Sequence, residues 1–511
     1  MVTQILLCSE CICNPWDRFI ICTTNLDFFE ILLSKFCQDF PSHPIPLPRL
    51  RGRGEGERVI LLVLFGCGYA AGCNHRFLGF YRDLISSEDS MTKVRDKIRV
   101  LCFGYNGANN TGSEAKLLCT LRTIRKIIGD RVGELAVLTL NKRNQQRYLA
   151  EFPDVRLIEI GPWTLWKNLK LLFENYDLLF LSEGSTFIDH FSSLFFLMFC
   201  AGAELEKLRG FRVVGYGNDC GHLKPFNQRI LRHTVNKIDL LMVRNPDALA
   251  RMRGYGVTRE IHVTADATYE YPLPPLRERQ KLLGKLGLNP KERPIIGIAP
   301  KEFFWWPIAF RLWGPKEDLY RYPFYHTWPK GGRESSQRYV EQSARYADWC
   351  AKTYDAVIVL LSMEHMDYFP ARRIYHAMKH KDRAILIASD EYVVDDMISV
   401  LSVLKALITT RYHGAVLSSC SAVPMIAISS DTRCEAVFRE LEMMHLYLDY
   451  VEHPCPTPKT ECLDERLIEM TQTLMRQEAS LKKRIADQHP IFVERAHQNE
   501  VLLKKWFEEN F

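Results

Sequence analysis

The chain lacks the roughly twenty consecutive apolar residues a membrane-spanning helix needs in its one conspicuous apolar stretch, Val59 to Gly72, which stops at about fourteen. That stretch also starts too late for an ordinary signal peptide, although it is followed by a lipoprotein-like Ala-Ala-Gly-Cys73. A dense Lys/Arg stripe is missing as well. The formal net charge of +6 is spread over 511 residues, so nucleic acid is not expected as a partner, whereas an anionic small molecule fits. Cysteines at zinc-ligand spacing are absent: Cys8, Cys11 and Cys13 have no second half, and no metal is expected. Of sixteen cysteines seven fall in the first ninety residues, and the scattered remainder, such as Cys102, Cys119, Cys200 and Cys420, lie inside apolar runs. A reduced cysteine in such a run behaves as a small core residue, which points to the cytoplasm. With 47% hydrophobic and 25% charged residues, the composition is that of a soluble globular protein.

At 511 residues the chain exceeds one ordinary core, and two α/β domains are the natural expectation. Residues 1–90 hold no persistent helical or strand period; a Pro-rich run (Phe40 to Pro48) gives way to an Arg/Gly-rich one (Arg49 to Arg58). They read as an upstream extension without a fold, with Met91 as the native start. From Met91 strand and helix patterns alternate, beginning with a strand at Lys97 to Gly104, a Gly/Asn loop to Gly112, and a helix to Ile128. This alternation defines a first domain over residues 91–270 with a parallel sheet covered on both faces. A Pro-flanked, charged segment, 271–294, reads as a linker; a second α/β domain follows over 295–460, with an aromatic insertion at 303–337. The tail, 461–511, reads as one long charged helix, or two broken near Pro490, placed to fold back across the first domain.

Chemistry is expected where strands run into helices, because clefts of α/β folds open there. Ile408 to Ala415 reads I-T-T-R-Y-H-G-A and sets Arg411 and His413 in one such turn. The loop ending Asn110-Thr-Gly112 can approach a ligand through its glycines and hold an anion on the first helix amides. After the buried run Tyr176 to Leu181, Glu183 can accept protons or bind sugar hydroxyls; the alternative is a helix cap by Ser185 or Thr186. Arg244 follows Leu241-Met-Val at a strand end, and its fork suits phosphate or carboxylate; otherwise it makes a surface salt bridge. Asp266, between Ala265 and Ala267, reads as structural.

In order along the chain, these segments resemble the polysaccharide pyruvyl transferase family over roughly Arg99 to Met444. Gly104 to Ala115 is similar to the family's G-x-x-x-x-x-N-x-G-D-E-A loop, with Ser113 in place of the aspartate. Ser182-Glu-Gly184 stands where the family has G-G-G, so Glu183 is a second departure. Tyr216 to Gly221 is similar to Y-G-x-G-x-G, Val243-Arg244-Asn245 to V-R-D, Ser362 to Asp367 to a P-M-H-x-x-D segment, and Arg411 to Ala415 to R-L-H-A/G.

The resemblance implies two doubly wound, Rossmann-like domains facing across a cleft, similar to GT-B glycosyltransferases, with a C-terminal helical tail. It further implies transfer of a pyruvyl group from phosphoenolpyruvate to two sugar hydroxyls, forming a ketal, with no cofactor beyond that donor. Arg244, Arg411 and Lys301 are then the cationic groups for the anionic donor, with Asn110 and Gly112 in the binding loop. His413 is the acid/base group, and Glu183 or Asp367 serves the carbohydrate acceptor. Eleven aromatic residues between Phe303 and Trp328 offer faces for sugar rings, or for a membrane interface beside a lipid-linked acceptor on the inner membrane face. Two other classes stay open: a GT-B glycosyltransferase using a nucleotide-sugar, and a non-catalytic sugar-binding protein.

Overall fold

The computed structural model describes residues 97–160, 176–189, 193–305, 308–452 and 457–511. The expected extension at 1–90, and Trp306 of the aromatic segment, lie outside the described residues. In chain order the first seven strands are β1 (Ile98–Phe103), β2 (Val132–Thr139), β3 (Arg156–Glu159), β4 (Leu178–Leu181), β5 (Arg212–Asn218), β6 (Leu240–Val243) and β7 (His262–Val263). They form one parallel sheet in the order β3-β2-β1-β4-β5-β6-β7. After β8 (Ile295–Ala299) come three short strands, β9 (Ile308–Phe310), β10 (Leu319–Arg321) and β11 (Phe324–His326), in a small antiparallel sheet of their own. Then follow β12 (Val357–Ser362), β13 (Ala384–Ala388), β14 (Ala406–Thr409), β15 (Met425–Ser429) and β16 (Tyr447–Asp449). With β8 they make a second parallel sheet ordered β13-β12-β8-β14-β15-β16.

The two large sheets repeat one doubly wound topology. Each winds outward one way from its first strand and then the other way, so the order reverses between β1 and β4 and again between β8 and β14. Such switch points leave a crevice at the strands' carboxyl ends. Leu-Leu-Phe-Leu of β4, Leu-Leu-Met-Val of β6 and Ile-Ile-Gly-Ile-Ala of β8 are buried at every position, because helices cover both faces and no alternation with polar residues survives.

Several elements differ from expectation. The linker segment contains a helix, Leu276–Lys285, whose Arg279 Nη1 donates to Ser402 Oγ at 3.3 Å. The aromatic insertion forms the small antiparallel sheet. The tail does break into two helices, Leu463–Arg476 and Glu478–Asn510, but the break falls at Gln477, whose φ of −100° and ψ of 8° leave the helical region, and Pro490 lies inside the second helix. That second helix returns to the first sheet. Its Asn499 accepts from Thr264 Oγ1 at 2.7 Å and donates to the Ala265 carbonyl at 2.9 Å. No helix among the described residues is long and apolar enough to cross a membrane.

Candidate active site

The loops leaving β1 and β12 touch at the crevice, where Thr111 N donates to Met363 O at 2.8 Å. The helix Thr111–Ile128 starts here because Asn110 caps it: its Oδ1 accepts from Gly112 N and Ser113 N, both at 3.1 Å. The amides expected to hold an anion are therefore already occupied, and Asn110 is their cap, with its Nδ2 donating to Glu364 Oε2 at 3.2 Å. Glu114 ties the loop shut by accepting from Gly107 N at 2.8 Å, at a glycine whose φ of +79° disfavours any side chain. Gly112 has a different reason to be bare: a Cβ there would stand 1.9 Å from His413 Nδ1. Only a glycine lets the imidazole of one sheet's turn lie against the helix start of the other.

Around that contact sits a buried charged core. Arg244 donates through Nε to Asp219 Oδ2 at 2.9 Å and through Nη1 to Asp266 Oδ2 at 2.6 Å, with all three side chains fully buried. Its guanidinium lies 4.1 Å from the centre of the Tyr412 ring, a cation–π contact between the sheets. Nη2 of Arg244 has no hydrogen-bond partner among the described residues. His413 Nε2 stands 3.6 Å from the same Asp266 Oδ2, within ion-pair reach but beyond a hydrogen bond. Burial pushes the His413 imidazole below its usual value, against the pull of Asp266, so it is neutral at pH 7. Burial alone would raise Asp266, but the charges of Lys116 and Arg244 hold its carboxyl well below the carboxylate range. Lys116, itself buried and bonded to the Gly217 carbonyl, is pushed down to about 8 by desolvation.

Arg411 serves a second group. It pairs with Asp367, through Nε at 2.8 Å and again through Nη2, and with Glu364 through Nη1 at 2.7 Å. Glu364 also accepts from Tyr105 Oη at 3.1 Å, so one carboxylate gathers Arg411, Tyr105 and Asn110 from both sheets. Burial raises the Asp367 carboxyl despite Arg411. Lys301, its Nζ 5.0 Å from the Phe303 ring centre, lies within electrostatic reach of Arg411 and Asp367, with burial lowering it and Asp431 opposing. Asp431 also binds Arg433, through Nε at 2.8 Å and through Nη2.

Glu183 has four donors. Oε1 accepts from Ser185 N at 3.0 Å and Ser185 Oγ at 2.8 Å; Oε2 accepts from Tyr105 N and Ser113 Oγ, each at 3.2 Å. Burial would raise it, yet these bonds and Lys116 bring it below the usual value. The two departures from the family pattern, Ser113 and Glu183, thus touch each other.

The expected residues therefore meet in two sets, Arg244 with His413 through Asp266, and Arg411 with Asp367 and Asn110 through Glu364, with Lys301 beside the second. Asp266, read from sequence as structural, is the carboxylate shared by Arg244 and His413. Sequence reasoning passed over Lys116, Asp219 and Glu364. Lys116 did carry a signal, because it follows Gly112 by four residues and so shares its helix face. Glu364 and Asp219 could be placed only by the tertiary contacts they make. Arg244, Arg433 and Arg495 also line a small cleft with Tyr269, Tyr412 and Phe492 under the C-terminal helix. Among the described residues no group of three or more His, Cys, Asp or Glu side chains is arranged to hold a metal ion.

Among solved structures, the chain is similar to UDP-GlcNAc 2-epimerase from Neisseria meningitidis bound to UDP-GlcNAc, at 10% identity and a TM-score of 0.53, covering 80% of this chain and 99% of that one. It is likewise similar to S. aureus MnaA with UDP, at 12% identity and a TM-score of 0.52, covering 81% and 98%. At such identity the likeness shows the fold, two doubly wound domains of the GT-B kind. No curated protein matches the chain. The model of the polysaccharide pyruvyl transferase family matches residues 110–432, from the helix cap Asn110 to the residue after Asp431, and so includes both charged groups of the crevice. The chain belongs to the polysaccharide pyruvyl transferase family and is a transferase.

Proposed function

We propose that the protein transfers a pyruvyl group from phosphoenolpyruvate to two hydroxyls of a sugar in a polysaccharide or its precursor, forming a ketal. The observation that carries this reading is the neutral His413 held against Asp266 beside the partly unsatisfied guanidinium of Arg244. The donor brings a carboxylate and a phosphate, which call for buried cationic donors, and the two arginine groups are the candidates. In the reaction the methylene carbon gains a proton, two sugar oxygens bond to the neighbouring carbon and lose theirs, and phosphate departs with the second proton. A neutral imidazole is ready to take the first hydroxyl proton, and Asp266 stabilises the imidazolium that results. We assign the proton work to His413 and withdraw it from Glu183, whose lowered pKa and four donors make it a weak base and a firm tie between loops. Asp367, held by Arg411, orients that arginine. The buried thiols, with Cys102 and Cys119 pushed up to about 12, suit a reducing cytoplasm.

The test is phosphate release from phosphoenolpyruvate with a panel of sugar acceptors. Release should depend on an acceptor and fall by about 10²–10⁴-fold in His413→Ala. Because His413 must be neutral to begin, turnover should drop as pH falls through a midpoint below 6.5, and this acid limb should vanish in the variant. Release indifferent to acceptor and to His413, or consumption of a nucleotide-sugar instead, overturns the reading.

A further inference from the structure

The small antiparallel sheet holds one side against the crevice and shows the other to solvent. On the inner side Trp305 stacks on His326 at 4.6 Å, Trp328 Nε1 donates to Asp318 at 2.9 Å, and Tyr320 Oη comes to 3.5 Å from Tyr105 Oη of the first sheet's loop. The first two contacts hold the insertion together, and the third sets it at the mouth of the crevice. The outer tip is unlike a soluble surface: Phe310 is 59% exposed, Leu312 52%, Trp313 79% and Tyr322 51%, four large apolar side chains within thirteen residues. Residues 308–333 also carry five Lys/Arg against two Asp/Glu, so half of the whole chain's net charge of +6 lies in this short segment. One of the two acids, Asp318, is buried and paired with Arg333, and the exposed charges that remain are Lys316 and Lys330 against Glu317.

From this combination we infer that the tip 310–322 docks the protein on an anionic lipid bilayer. A protruding tryptophan with a tyrosine and flanking cations matches the headgroup region, where aromatic rings with polar edges settle and basic side chains meet lipid phosphates. A protein partner or second copy would be better served by a broad flat apolar face than by separate side chains projecting from a loop between cations. Docking through this tip sets the crevice mouth, marked by Tyr320 and Tyr105, at the membrane surface. Resting on the transferase reading, the acceptor is then a lipid-linked saccharide whose sugar enters the crevice while its lipid stays in the bilayer.

Co-sedimentation of the full chain with sucrose-loaded vesicles tests the docking without donor or acceptor. The chain should sediment with phosphatidylcholine vesicles containing phosphatidylglycerol, weakly with phosphatidylcholine alone, and less as salt rises. The F310S/L312S/W313S variant should lose binding by about tenfold or more, and K316E should lose part of it, with unchanged thermal melting in both. Equal binding by the triple variant, absence of binding to anionic vesicles, or a dimer in light scattering that the triple variant dissolves each overturns the inference. Vesicle binding with no phosphate release would sink the transferase reading and spare the docking; release with soluble sugars and no vesicle binding would do the reverse.

Discussion

A methyl group added at Gly112 would meet His413 at Nδ1, Cγ and Cβ, at 1.9, 2.1 and 2.6 Å. The ring cannot yield by a small flexion at such distances and must rotate away from Asp266. Gly112→Ala should therefore lower turnover about as far as His413→Ala, on the order of 10²-fold or more, while the protein still folds. Gly254→Ala is the control, since nothing lies within 4 Å of its added methyl. Steady-state phosphate release on both variants, with circular dichroism to confirm folding, checks this. Ser113 and Glu183 allow a second test at the same scale. Ser113→Asp sets a second carboxylate against one that Ser113 now satisfies, and should cost about 1–3 kcal/mol in a urea melt. Adding Glu183→Gly removes the clash and gives both positions the family's residues, so the double variant should recover much of the loss, with a coupling of about 0.5–3 kcal/mol. Strictly additive losses would show that the two positions do not compensate.

The elements that the sequence made legible are those with long apolar runs. β1, β4 and β6 stand within the apolar runs read from the sequence, because buried parallel strands leave an unbroken hydrophobic signal. β7 has two residues and β16 three, too short to leave any pattern, and they are held at the sheet edges by pairing with β6 and β15. The site was half legible for a similar reason. Arg244, Arg411 and His413 could be found because each terminates a strand or opens a helix, whereas their carboxylate partners Asp219, Asp266 and Glu364 are assigned only by distance across the crevice. Nor could sequence show that the C-terminal helix would end on the first sheet through Asn499, a fully buried amide that joins Thr264 and Ala265 beside Asp266. Asn499→Ala strands the buried Ala265 carbonyl and leaves the Thr264 hydroxyl only the Val243 carbonyl, at 3.2 Å, and should cost about 1–3 kcal/mol, read as a lower urea midpoint. An unchanged midpoint would mean the helix docks without this anchor.

Across the whole molecule the crevice is drawn together by paired polar contacts. From the first sheet's side Asn109 Nδ2 donates to Asp390 Oδ1 at 2.6 Å and Tyr148 Oη to the Ser389 carbonyl at 3.1 Å, while His365, on the same side as Asp390, lies with Nδ1 3.0 Å from both oxygens of that carboxylate. Closure of this kind leaves Arg244 fully buried, so under the proposed function a donor reaches it only when the sheets part. Asp390 is the hub of the latch on one side, and its loss should favour the open form. The hydrogen bond to Asp390 raises His365 above its usual 6.5, against burial, and the same pairing keeps Asp390 below its own usual value despite desolvation. A group whose folded pKa is raised contributes fully below its unfolded value and loses that contribution as pH rises through the folded one. The His365–Asp390 pair should therefore contribute its full share of stability below about 6.5 and lose it above. His365 is half exposed, so solvent screening limits the effect to at most about 1 kcal/mol, roughly fivefold in the folding equilibrium. The urea midpoint of the parent chain should fall modestly as pH rises through this window. Asp390→Asn should be insensitive to the same titration and, having lost the carboxylate that Asn109 binds from the first sheet, should show a larger radius of gyration in small-angle scattering. A variant as compact as the parent, with the same pH response, would remove Asp390 from the closure mechanism and leave it to Glu364 and the Thr111–Met363 backbone bond.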